Sequence, residues 1–504
     1  MGTNILELYK KRCKYEWKVA FISTFLIGLL THIYKFTNTL LNHDSLYSFY
    51  HDQNIVQSGR WFLSIAFSIS SYFHLPCVTG LLSVVFISLT TVVITEIFEI
   101  KNPVVIALSG GILVTFPAIT TTFMFQFTAD GYMLAMLLSA VAVYLTMLGK
   151  HKKINYILAG VCICLSCAIY QAYISFALLL ILCHFIYKLF ENSFKTLEYL
   201  KYIRNQVILF AVSLAAYFAI WKICLFVQNV EMTSYKHIDE VGSGQININT
   251  ILHAPFNITA ILRQFFFVEN TLHTVLSILF ITSFIAIVLI ALVKTKLYKR
   301  KLHIFLLILC IVLMPCCIGI WYFTTEYVEY NNIMLQSIAV LYIFALLLYD
   351  RYGKAILSNI AGVLYLIIIL NFALQANIVY FNMHYVNQRT YASACEIAER
   401  IHTCEDGENA TKIAVLGELS DERIDLNSHI GGVYKSSGLY SNLMFDQSHI
   451  QMYLNQVFGM KLEEADETTA ESLLNDATVQ NMGVWPDNNS LMVIDDVIVI
   501  KLSE

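Results

Sequence analysis

The sequence predicts an all-α polytopic membrane protein of about eleven spans, followed by a small C-terminal α/β domain. Three observations carry this prediction. The 504-residue chain is 57% hydrophobic and only 13% charged, against about 25% charge in soluble domains. Apolar runs of about 20 residues, the length needed to cross a bilayer, recur up to residue 380. Beyond that point the composition turns acidic and ordinary, which divides the chain into a membrane domain, 1–380, and a soluble domain, 381–504.

The runs lie near 17–37, 78–98, 103–123, 131–149, 154–170, 174–190, 206–227, 272–293, 304–324, 332–349 and 356–380. The 154–190 block is split at Tyr170-Gln171-Ala172-Tyr173. The cations test the map. With the N-terminus inside, the inner segments hold Lys10 to Lys18, Lys101, Lys150 to Lys153, Lys188 to Arg204, Lys294 to Lys301, Arg351 and Lys354. The outer loops hold only Arg60, Lys236 and Arg263. Cytoplasmic loops carry this excess of Lys and Arg, so the N-terminus is expected in the cytoplasm and the tail outside. The N-terminus lacks a small-residue cleavage pattern, so the first run is expected to stay as an anchor.

Two outer loops are long, about 38–77 and about 228–271. In the first, Trp61 to Leu75 is apolar at helical spacing but too short to span, which predicts an interfacial helix. The second holds Gly242-Ser243-Gly244, a candidate lid, and an interfacial segment from Ile261 to Val268. In the tail, Lys412 to Leu416 reads as a strand, and Leu491 to Leu502 as a hairpin turning at Asp495-Asp496. Arg389 to His402 and Glu463 to Asn475 read as helices.

Most of the twelve Cys lie in apolar runs, where Cys is a small hydrophobe. No paired CxxC pattern suggests zinc, no Gly-rich loop suggests a nucleotide, and nothing points to nucleic acid. His43, His51 and His74 share a loop without ligand spacing, so no metal site is assigned.

Ionisable groups at the hydrocarbon boundary are costly and therefore functional candidates. Asp44 follows span one, and Asp130 opens span four. Either serves as a helix N-cap or as a catalytic carboxylate. Asp52 reads as a solvated loop charge. Arg60 and Arg263 run against the cation bias. Each is an interfacial anchor or a phosphate ligand. Tyr170, Gln171 and Tyr173 suit either an aromatic belt or sugar hydroxyls and ring faces. Glu326, with Tyr327, Glu329 and Asn332, crowds an outer mouth where an acceptor, a metal or water would bind. Lys35 and Lys222 read as snorkelling from span ends.

Asn42-His43-Asp44-Ser45-Leu46-Tyr47, followed by Ser58-Gly59-Arg60-Trp61-Phe62, resembles the bacterial Gtr-type glucosyltransferases, the serotype-conversion enzymes and their Gram-positive relatives. Thr128-Ala129-Asp130-Gly131-Tyr132 and Tyr170-Gln171-Ala172-Tyr173 look like that family in the same order. The resemblance implies a GT-C-like fold in a bacterial plasma membrane. It implies a polyprenyl-phosphate sugar as donor and a cell-envelope glycan or glycopolymer as acceptor on the outer face. A polyprenyl-phosphate glycosyltransferase and a flippase would serve the same pathway. Asp44 and Asp130 match the family's acidic loop residues, with Asp44 the expected general base. His43 stands where some relatives carry a second Asp. Arg60 and Arg263 become donor-phosphate ligands. His43, Tyr47, Trp61, Tyr170, Gln171, Tyr173 and Glu326 become substrate contacts. No cofactor is implied, and a divalent cation is left open. A transporter or flippase for lipid-linked sugars is the alternative, but transporters place charges at the bilayer midplane, and here they sit at span ends. A non-catalytic scaffold for cell-wall assembly is the third reading.

Overall fold

The computed structural model describes residues 13–47, 55–70, 75–149, 151–193, 196–234, 248–268, 270–324, 330–419, 443–444 and 446–503. The chain divides into two compact units. One comprises Met1–Asn38 with Asn54–Asn377, the other Thr39–Gln53 with Ile378–Glu504.

In chain order the helices of the first part are α1 (Tyr15–Thr37), α2 (His43–Tyr47), α3 (Leu63–Phe67), α4 (Pro76–Ile97), α5 (Pro103–Thr115), α6 (Pro117–Met124) and α7 (Ala129–Met147). They continue with α8 (Lys152–Ile169), α9 (Tyr173–Glu191), α10 (Thr196–Gln228), α11 (Ile248–Phe266), α12 (Thr271–Lys294), α13 (Lys301–Ile318), α14 (Ile338–Tyr352) and α15 (Ala355–Thr403). Among the described residues, ten helices are long and apolar enough to cross a membrane, α5 and α6 counting as one. The protein is a polytopic membrane protein. The sequence run at 332–349 forms a 3-10 turn, Asn332–Met334, and then the 15-residue α14. That is shorter than the roughly 20 residues of a full span, and α14 is buried from Ile338 to Tyr349.

Proline and small residues shape the first unit. Pro103 opens α5 behind Asn102, whose side chain accepts from the Val104 N–H. Pro117 ends α5 and starts α6, because it cannot supply the N–H that would continue the ladder. A side chain at Gly110 would strike Thr24, so glycine lets α5 close on α1. At one end of the unit, Lys14 pairs with Glu96 at 2.6 Å, Lys101 with Glu16 at 3.2 Å, and Asn102 with Asp350 at 2.9 Å. These residues belong to segments read as lying on one side. Lys35 departs from its snorkelling expectation. It is fully buried, because the turn with His32 and Phe36 is the packed face of α1. Lys222 is exposed.

The second unit is α/β. After the end of α15 come β1 (Lys412–Leu416), α16 (Gln447–Phe458), β2 (Glu463–Glu464), α17 (Glu467–Leu474), α18 (Ala477–Gln480), β3 (Leu491–Ile494) and β4 (Val497–Lys501). The strand order is β2-β1-β4-β3. β1 runs parallel to both β2 and β4, and β3–β4 is an antiparallel hairpin. The hairpin turns at Asp495 and Asp496, as the sequence suggests, with Asp495 in the left-handed region. The span at 356–380 and the helix at 389–402 are one helix, α15, because no Gly or Pro interrupts 381–388. Glu463 and Glu464 join the sheet instead of a helix, and Asp466 caps α17 by accepting from the Thr469 N–H. The described part of the Trp61–Leu75 stretch forms the short α3 and a 3-10 turn, Ser68–Ser70. Gly242-Ser243-Gly244, His51, Asp52 and His74 lie outside the described residues. The Ile261–Val268 segment is mostly the end of α11.

Candidate functional site

The turn at 55–60 is fixed by its carbonyls. The Val56 carbonyl accepts from Trp221 Nε1 at 2.7 Å, Gln57 from the Thr233 N–H at 3.3 Å, Ser58 from Gln171 Nε2 at 2.7 Å, and Gly59 from the Tyr217 hydroxyl at 3.0 Å. Gly59 has φ +81, and an added Cβ would strike Tyr217 and Gln171. This position accepts only glycine without strain. The turn delivers Arg60, whose Nη1 donates to the Tyr132 hydroxyl at 3.4 Å. Its guanidinium carbon stands 5.1 Å from the Tyr170 ring centroid. Tyr132 and Tyr170 stack at 4.6 Å, and Tyr173 meets Tyr170 edge-on at 6.1 Å. A guanidinium resting on an aromatic face is held in place by that contact, and its planar geometry suits a carboxylate or phosphate.

Asp130 lies in the first turn of α7, 1% exposed. Its Oδ1 accepts from the Gly131 N–H at 3.0 Å, and the Ser70 hydroxyl lies close enough to act on the carboxylate. Trp61 lines a cavity of about 670 Å³ between α8 and α10, which reaches Lys152 and Lys153 at the other end of α8. Arg263 is exposed in the last turn of α11. Glu326, Tyr327 and Glu329 lie outside the described residues.

His43 and Asp44 belong to the second unit. The cap of α2 is Asn42, not Asp44. Its Oδ1 accepts from the Ser45 N–H at 2.9 Å and from the Ser45 hydroxyl at 2.7 Å. That releases Asp44 from the capping role read for it. The Asp44 carboxylate is 3.3 Å from His43 Nε2. Tyr47 closes this helix. Leu46 is fully buried in a core with Ile397, Ile450 and Tyr453, and its carbonyl accepts from Gln456 at 2.7 Å. The His43 ring lies 6.3 Å from that of His449, whose Nδ1 is 2.7 Å from Asp446 Oδ1. Burial lowers the His43 pKa; Asp44 opposes this, His449 adds to it and Asp446 opposes it. Burial raises the Asp446 carboxyl, but hydrogen bonds from His449 outweigh it and hold the group below the usual range.

A family model for the glucosyl transferase GtrII matches residues 33–381, more than half of the chain. The chain belongs to the GtrII glucosyl transferase family. No curated protein and no solved structure matches it. GtrII membership makes the chain a membrane glycosyltransferase that takes a sugar donor and a glycan acceptor. The GtrII match contains His43, Asp44, Arg60, Asp130 and Tyr170–Tyr173 and stops before Asp446 and His449. Those two residues gave no sequence signal because they lie some 400 positions from Asp44. Sequence reasoning also passed over Gln336 and Ser337, at the head of α14. They are 1% and 0% exposed, and Gln336 Nε2 and Oε1, Ser337 Oγ and the nearby Tyr173 hydroxyl have no hydrogen-bond partner in the protein. A buried polar atom left unpaired costs about 1–3 kcal/mol. Two polar residues leading into an apolar run were the available clue. Among the described residues, no three His, Cys, Asp or Glu side chains converge as metal ligands.

Proposed function

We propose that the chain moves a glucosyl group from a polyprenyl-phosphate donor to a cell-envelope glycan or glycopolymer on the outer face of the bacterial plasma membrane. The observation that carries this reading is the GtrII match across residues 33–381, which spans both candidate carboxylates and Arg60. The cation distribution supports an outer-face reaction, where lipid-linked donors replace nucleotide sugars. The cavity along α8, beginning at Trp61, supports a donor with a long apolar chain.

In this reading Asp44 takes the proton of the acceptor hydroxyl as general base. The freed oxygen forms a bond to the anomeric carbon. The bond from that carbon to the phosphate oxygen breaks, and the phosphate leaves with the electron pair. A single displacement inverts the anomeric centre. Arg60 stabilises the charge gathering on the phosphate, with Arg263 assisting and Asp130 orienting the reactants. His43, Tyr47, Trp61, Tyr170, Gln171, Tyr173 and Glu326 contact the substrates. No cofactor is assigned and a divalent cation is left open: a rate lost to chelator and restored by a divalent cation would add a metal, and an unchanged rate would leave none in the reaction. A polyprenyl-phosphate glycosyltransferase and a flippase supply the donor.

The test is Asp44→Asn in purified full-length protein with polyprenyl-phosphate glucose. Transfer should be lost with folding and membrane insertion intact. Transfer at the normal rate would remove Asp44 as base. Absence of transfer by the unaltered protein would remove the donor assignment.

A further inference from the structure

We propose that Gln336, Ser337 and Tyr173 form the pocket that reads the hydroxyls of the transferred hexose, a role that rests on the glucosyl-transfer reading above. The first observation is chemical. Gln336 is 1% exposed, and both ends of its amide, the donating Nε2 and the accepting Oε1, lack a partner in the protein. Ser337, 0% exposed, repeats this at its hydroxyl, and so does Tyr173 at 0%. Buried polar groups are nearly always hydrogen-bonded, so four such atoms in three fully buried side chains mark a place built for something else.

The second observation is position. The Tyr173 hydroxyl lies beside the Gln336 side chain and the Thr122 hydroxyl, close enough for both to act on it, though neither contact reaches hydrogen-bond geometry. The Tyr173 ring meets Tyr170 at 6.1 Å and Tyr132 at 6.5 Å; Tyr170 lies under the Arg60 guanidinium, and the Tyr132 hydroxyl accepts from it. The unpaired atoms are therefore linked, through one aromatic wall, to the guanidinium proposed for the donor phosphate.

The ligand class follows from the atoms. An anion would satisfy Nε2 and leave Oε1 bare, and a cation would do the reverse. A neutral polyol satisfies both, because each hydroxyl donates and accepts. An amide spans two neighbouring hydroxyls of a sugar ring, and aromatic faces pack on its C–H surface. A hexosyl group fits this set.

The experiment compares binding of polyprenyl-phosphate glucose with binding of bare polyprenyl phosphate, using full-length protein in nanodiscs. The unaltered protein should prefer the glucosylated lipid. Gln336→Met, which removes both polar atoms at similar volume, should reduce that preference about tenfold or more. It should raise KM and leave the melting temperature equal or higher, because an unpaired amide has left the interior. Ser337→Ala and Tyr173→Phe should act in the same direction. A Gln336→Met protein that keeps the full preference, or that melts lower with KM unchanged, overturns the proposal and makes the amide structural. If the unaltered protein shows no preference and no transfer, the donor reading falls, and the pocket assignment falls with it.

Discussion

Arg60 shows how a single side chain can be prepared for its work. Its stem leaves a turn held at four consecutive carbonyls, and its head lies over the Tyr170 ring and donates to the Tyr132 hydroxyl. Lysine would keep the charge but not the planar fork or the ring contact. Arg60→Lys should therefore lower kcat at saturating donor by at least about tenfold, close to the loss in Arg60→Ala. A lysine variant with the normal rate would reduce the residue to a point charge. His43 makes a second prediction. Burial holds its folded pKa below the ordinary 6.5. The unfolded chain then binds the proton more readily, so the contribution to stability is present above about pH 6.5 and is lost as pH falls through the folded value. Asp446, held below its ordinary 3.8, adds a second loss at lower pH by the same sign. Melting curves from pH 7.5 to 5 should show the first decline, and His43→Gln should flatten it.

Among the elements, the 55–60 turn and α14 teach opposite lessons. The turn is legible because glycine, arginine and tryptophan stand together in a polar gap, yet the donors that hold it come from α10 and from Gln171, more than a hundred residues away. Gly59→Ala should displace Arg60 and cut transfer sharply while the spans still insert, as read by activity beside a melting curve. Insertion of a Cβ at no cost to rate would show that the turn relaxes freely. In α14 the apolar run is visible, but the meaning of Gln336 and Ser337 is not, because a sequence does not say which polar atoms lack partners. The strands β1, β3 and β4 were readable from alternation and β-branched residues at the positions they occupy. The junction inside α15 was not, since hydropathy falls there without any break in helical propensity.

At the scale of the whole molecule, local reading misses the grouping of residues 39–53 with the tail. Hydropathy reports the neighbours of a residue along the chain, whereas Leu41 bonds Asn387 and Leu46 packs among Ile397, Ile450 and Tyr453. The tail is therefore part of the setting of Asp44. Removing residues after 403 should abolish transfer even if every span inserts, which mass analysis of envelope glycans from cells carrying the truncated chain would reveal. Normal glycans in those cells would separate the tail from the reaction.

The same grouping sets a schedule for the living cell. Gln456 and its carbonyl partner at Leu46 are 410 residues apart. At about 5–20 residues per second, a ribosome takes roughly 20–80 s to bring the second after the first. For most of that interval the segment bearing Asp44 has emerged without its partners, the first of which, Asn387 and Ile397, are themselves some 350 residues away. If Asp44 acts as proposed, each newly made chain should stay silent until its last domain has been translated, and fragments left by stalled synthesis should show no transfer.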